Sequence, residues 1–190
     1  MPWDVDYDEA TDRLYVSLTD GSVAVFDGVL DGQTPPAMPD RIFAVELASA
    51  PGARYSVNLH GIVYDAVHDR VFVSDVNATS VGAFDTDGRI FVIDGASTAS
   101  GLVQPRVHIE GATTRLGNPV DLAFDGVDLF VAEKANSGGA VLRFADVAAL
   151  DTSLSTAVVP ATASSAPDVE SIAVVPMDLA PARGGSIHTQ

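Results

Sequence analysis

Apolar and polar residues alternate in short runs along most of this chain, and the clearest run is NPVDLAFDGVDLFVAEKANSGGAVLRF at 118–144. Val120, Leu122 and Phe124 mark a strand of period two, and a turn at Asp125 and Gly126 leads to a second strand over 129–132. A glycine-bearing turn at 137–139 leads to a third strand over 140–144. The pattern predicts an up-and-down meander.

The same unit recurs. RLYV at 13–16, RVFV at 70–73 and DLFV at 128–131 are separated by 57 residues (13 to 70) and 58 residues (70 to 128). Repetition at that interval marks an array of supersecondary units. In each copy an alternating strand precedes this one: Val5 and Tyr7, Ile62 and Tyr64, Leu122 and Phe124. Polar turns, DEATD, AVHD and DGVD, join the two. A third strand follows at 22–26, 89–93 and 140–144, and a fourth at 41–47, 106–110 and 156–160. A further copy opens with SIAVV at 171–175, and the remaining Pro- and Gly-bearing residues suit a tail or linker. Helix is nearly absent, with one turn at most over 146–150.

Four-stranded antiparallel units at this spacing predict the blades of an all-β propeller, whereas a flat sandwich gives no reason for the 57- and 58-residue repeat. The expected organisation is blades over 1–176 (3–58, 59–117, 118–168, and the start of a fourth at 169–176) and a tail over 177–190. Three blades and one strand do not close a ring. The chain is therefore expected to be an excised fragment, to complete a ring with a second copy, or to lend its last strand to another blade.

Composition narrows the partners. Acidic residues outnumber basic ones 26 to 10, giving a net charge of −16, and Lys134 is the sole lysine. Such a surface repels nucleic-acid phosphates and anionic membranes. The aspartate excess fits a high-salt habitat, calcium outside the cell, or plain solubility. With no cysteine, neither disulfide nor thiol chemistry operates. The start, MPWDVDYDEA, has no basic and apolar leader pattern, and no run of about 18 apolar residues predicts membrane insertion. An extracellular or cell-surface place is expected if the chain is an excised domain.

Residues 89–134 resemble the NHL-like or YVTN-like propeller repeats common in bacterial surface and secreted proteins. Asp94, Ala96, Ser97, Thr98, Gly101, Pro105, Arg106, Asn118, Pro119 and Leu122 stand at that pattern's places, and Phe130 replaces its tyrosine. The likeness extends over roughly residues 3–176 and implies a scaffold for binding. A fainter likeness, through His60-Gly61-Ile62 and the VSDVN at 73–77, is to calcium-dependent gluconolactonase and paraoxonase propellers. It implies a calcium ion at the axis held by Asp4, Asn118, Asp121 and Glu170, with His60 as general base; the plainer alternative is polar strand ends beside a water-filled channel. Much of such an enzyme's ligand set would have to come from blades that this sequence does not contain.

The long connection over 76–88, with Asp75 before it, offers Asn77, Asp85 and Asp87 for a cation or a sugar, and the 133–139 loop adds Lys134 and Asn136. A simple hairpin extension is the alternative. His68 sits in a turn at the far end of its strand and reads as solvated. No His-Glu-x-x-His, Gly-x-Ser-x-Gly or phosphate-binding loop occurs. The sequence therefore predicts a non-enzymatic module for a protein or carbohydrate ligand, with a calcium-dependent lactonase or esterase as the alternative.

Overall fold

The computed structural model describes residues 1–31, 38–77, 86–150 and 159–175. Their strands are β1 (Pro2–Asp8), β2 (Arg13–Leu18), β3 (Ser22–Asp27), β4 (Arg41–Val45), β5 (Leu59–Asp65), β6 (Arg70–Asp75), β7 (Arg89–Asp94), β8 (Gly101–Val103), β9 (Val107–Glu110), β10 (Pro119–Phe124), β11 (Leu129–Glu133), β12 (Ala140–Phe144) and β13 (Thr162–Ser165). They form three sheets in the orders β1-β2-β3-β4-β8, β5-β6-β7-β9 and β10-β11-β12-β13. Four strands of each sheet form an antiparallel meander, as the alternation predicts, and β8 adds to the first sheet in parallel.

The copies match in register. Val5 pairs with Val16, Ile62 with Val73 and Leu122 with Val131. Each first strand also carries an irregularity near its start, between Pro2 and Asp4, Leu59 and Ile62, and Pro119 and Asp121. Asp12 and Asp69 close the first turn of their sheets at φ 51° and 50°. Aspartate tolerates this left-handed conformation better than most residues, and each of the two accepts a hydrogen bond from a tyrosine of the preceding strand, Tyr7 (2.8 Å) or Tyr64 (3.1 Å).

Two apolar layers hold the sheets together. Val71, Val73, Phe91 and Ile93 of the middle sheet pack with Tyr15, Val23, Val25 and Phe43 of the first. Phe72, Ile90 and Val92 point the other way, to Leu129, Val131, Leu142 and Phe144 of the third. Because side chains of a strand alternate between faces, a strand covered on both sides buries successive residues rather than every second one. RVFVSD of β6 is accordingly buried at every position. Serines reach across both layers: Ser17 Oγ donates to the His60 carbonyl, and Ser74 Oγ donates to the Pro119 carbonyl at 2.7 Å.

Three elements differ from the expectation. Residues 101–103, between the strands expected at 89–93 and 106–110, form β8, which joins β4 in parallel (Phe43 with Gly101, Val45 with Val103) and so straps the second copy onto the first sheet. A three-residue strand paired over such a distance leaves no local period to detect. The last strand of the third sheet is Thr162–Ser165 rather than 156–160, of which 156–158 lie outside the described residues. Its TASS is exposed at every position, so it carries no apolar signal. Residues 171–175 join no ladder among the described residues, yet the Ile172 amide donates to Asp121 Oδ2 at 2.8 Å. The turn expected near 146–150 is a 3-10 turn at Val147–Ala149, accompanied by two others at Ala112–Thr114 and Asn136–Gly138. The expected tail over 177–190 lies outside the described residues.

Phe91 sits at the centre of the first layer with no exposed surface. Phe91→Ala is expected to lower the unfolding free energy by about 3–5 kcal/mol. Val127→Ala, at an exposed turn, should stay within about 0.5 kcal/mol of the parent. Equilibrium urea denaturation of the two variants checks both values.

Candidate functional site

The first strands of the three sheets lie side by side, β1 against β5 and β5 against β10. Together with residues 172–174 they line a groove of about 330 Å³ that includes Asp4, Asp6, Ile62 and Asp121. A first strand pairs with only one neighbour in its own sheet, so the amides of its free edge need other acceptors. Asp4 Oδ2 accepts from the Ile62 amide (3.0 Å) and Asp6 Oδ2 from the Tyr64 amide (2.6 Å), two residues on in both strands. The second oxygens accept from Val5 (2.8 Å) and Tyr7 (2.9 Å). Asp121 repeats the arrangement with Leu122 and Ile172, both at 2.8 Å. Burial pushes the Asp4 and Asp6 carboxyls above their ordinary range, against the pull of these amides.

Gly61 occupies the corresponding place in β5. A Cβ there would lie 2.7 Å from the Asp121 Cα, so β5 and β10 meet backbone to backbone and no side chain fits between them. His60, beside it, is buried and stacks on the Trp3 ring, with centroids 3.6 Å apart and planes inclined by 12°. Its Nδ1 is buried without a hydrogen-bond partner, and burial lowers the imidazole to about 4. The ring is neutral at physiological pH.

The axial residues of the calcium expectation divide rather than converge. Asp4 and Asp121 are close enough to repel each other, but both oxygens of each already accept backbone amides. Glu170 is exposed and forms an ion pair with Lys134. Asn118 keeps a buried Oδ1 with no hydrogen-bond partner. Among the described residues no three His, Asp or Glu side chains group as metal ligands.

Asp75, expected in a binding loop, is fully buried at the end of β6. Its carboxylate accepts from the amides of Val57 (2.9 Å), Asn58 (2.9 Å) and Asn77 (2.8 Å), which pins the loop entering β5. Glu133, which the sequence reading passed over, does the same at the end of β11. It accepts from Gly117 (2.9 Å), Asn118 (2.8 Å), Ala135 (2.9 Å) and Asn136 (2.9 Å). Lys134 and Asn136 therefore stand on a loop that this carboxylate shapes. Asp85 lies outside the described residues.

Asp87 lines a cleft of about 180 Å³ with Asn77, Thr86, Gly88, Arg89, Glu110 and Gly111. Burial pushes its carboxyl up; Asp75 and Glu133 add repulsion, and Arg89 opposes them. Its Oδ1 is buried without a hydrogen-bond partner. Beside the cleft, Arg89 covers the Tyr55 ring at 4.3 Å and meets Glu110 at 3.3 Å. The Tyr55 hydroxyl donates to Glu110 at 2.6 Å, and burial with this bond raises it to about 12. His108 lies 3.6 Å from Glu110, and burial lowers its imidazole despite the carboxylate. It also borders a second cavity, of about 450 Å³, with Leu47, Ser49 and Gln104. This cluster was absent from the sequence reading because its members come from separate segments. The available hint was His108 and Glu110 alternating with Val107 and Ile109. His68 is half exposed in its turn, 2.7 Å from Asp65.

No protein-family model matches the chain, and a search of curated proteins returns no match. What the protein does is therefore read from its own geometry.

An imidazole titration followed by NMR should place His60 near 4, and Trp3→Ala should move it up toward 6.5 by opening the ring to water. The folded chain then leaves His60 neutral down to about 4, whereas the unfolded chain takes up the proton near 6.5. Between those values the unfolded state binds more protons, so this residue's contribution to stability falls as pH falls. Asp4 and Asp6, raised above 3.8, contribute with the opposite sign just above that value. Removing the Glu133 carboxylate strips four amides of their acceptor. Glu133→Ala is expected to cost about 3 kcal/mol or more in chemical denaturation.

Proposed function

We propose that the three sheets are blades of an NHL-like or YVTN-like β-propeller and that the chain serves as a non-enzymatic binding module. In support, the sheets share one register and one first-strand irregularity, and their first strands line a common groove. Residues 171–175 stand toward Asp121 as the fourth unit's first strand would, since Ile172 donates to Asp121 as Ile62 donates to Asp4.

The ligand meets the face where the connections at 46–58, 86–88, 110–118 and 134–139 gather. One observation carries this assignment: buried Asp75 and Glu133 hold the backbones of these loops rigid around the polar cleft of Asp87, Arg89 and Glu110. A preorganised polar cleft of this kind suits a carbohydrate or a polar segment of a protein. The calcium-dependent lactonase reading has the unpartnered His60 Nδ1 and Asn118 Oδ1 in its favour. Against it stands the engagement of Asp4, Asp121 and Glu170 elsewhere.

Calorimetric titration with Ca²⁺ and a lactone-hydrolysis assay, run on the protein and on His60→Ala, separate the two readings. The binding-module reading expects no turnover from either protein. Calcium-dependent turnover that His60→Ala abolishes would overturn it. On a glycan and peptide array, Asp87→Ala is expected to lose at least about tenfold in affinity for whatever the parent retains, with its melting temperature unchanged.

A further inference from the structure

The two outer sheets present unlike faces. On the first sheet, register places Val5, Leu14, Val16, Ala24, Phe26 and Ile42 on the face turned away from the middle sheet. Val5 is 55% exposed and Ile42 46%, at the margins of this face, while Val16 and Ala24 between them are buried. Their counterparts in the other sheets are covered: Ile62 and Leu122 match Val5, and Val71 and Leu129 match Leu14. All four are at most 5% exposed, because the preceding sheet packs over them.

The third sheet shows the reverse. Its outward face carries Asp121, Ala132 and Val141, in the places where the first sheet's covered face carries Asp4, Ser17 and Val23. On the first and middle sheets this face receives the next sheet. On the third it meets residues 171–175 instead, through Ile172. The chain thus bears a further copy of each half of an interface that it already builds twice within itself, exposed at Val5 and Ile42 on the first sheet and met by residues 171–175 on the third.

We infer that two copies of this chain associate head to tail, the first-sheet face of each docking on the third-sheet face of the other. The occupant is a second copy because both halves of the contact are present on every chain and the internal junctions show how they fit. Two such contacts on a dyad close a ring, as a heterologous interface does when its rotation closes. Residues 171–175 hold the place that β1 of the second copy would take, so they compete with association and leave when it occurs. The inference rests on the reading of the sheets as blades. It is independent of the loop-face ligand, so failure of the array experiment leaves it standing.

Sedimentation equilibrium of the whole chain over a range of concentrations tests the association. A discrete dimer is expected, and with a net charge of −16 on each copy it should strengthen as salt screens the repulsion. Val5→Asp and Ile42→Asp, at exposed positions, should each weaken the dimer at least about tenfold with melting temperature unchanged. A variant ending at Glu170 should associate more tightly. A strictly monomeric species up to about 100 µM, an open-ended polymer, or a dimer indifferent to both face variants would overturn the contact. Weaker association of the shortened chain would overturn the competing role of 171–175.

Discussion

Amides on the free edge of a strand need acceptors, and when that edge is turned toward another sheet, water cannot supply all of them. In this chain aspartate does. Asp4 and Asp6, two residues apart on β1, face Ile62 and Tyr64, two residues apart on β5, and the shared period of two lets both bonds form at once. The junction between β5 and β10 is built differently. Gly61 takes the aspartate's place and brings the backbones together, while the Ser74 hydroxyl reaches the Pro119 carbonyl as Ser17 reaches that of His60. These contacts set the spacing of the sheets, and the two apolar layers fill the wedge behind them.

This use of carboxylates gives the acidic composition a structural meaning beyond solubility. Asp75 and Glu133 are fully buried and surrounded mainly by backbone amides, with Arg89 standing 3.8 Å from Asp75. Multiple amide donors stabilise a buried carboxylate directly. Other arginines lie at the ends of the sheets. Arg13 and Arg41 grip Asp27, Arg70 and Arg106 grip Asp94, and in the third sheet Arg143 meets Asp128 with the two charges exchanged between strands. The net charge remains strongly negative, so an anionic partner meets a repulsive field at low salt and a cationic one an attractive field.

The same economy separates the groove from the loop face. Along the groove the carboxylates already accept the amides of neighbouring strands, and His60 is stacked against Trp3 and neutral. On the loop face the buried acids hold the backbone, which leaves Asp87, Arg89, Glu110 and their aromatic neighbours around a cleft. Chemistry that needs convergent free ligands is poorly served by the first arrangement. Recognition by a rigid polar surface is well served by the second.

The meander, its three copies and the strand faces were legible in the chain itself, because alternation records which residues are buried, and RLYV, RVFV and DLFV record that one plan recurs. The opposed faces of Asp4 and Val5 were legible for the same reason. What each polar residue does was not. Asp75, a binding candidate just before the connection over 76–88, is a buried clamp of backbone amides, Glu133 gave no signal, and β8 carried no period at all. Whether a carboxylate meets an amide, an arginine or open solvent depends on the strand lying across from it. That neighbour comes from tens of residues away in sequence, so only the packing of the sheets decides it.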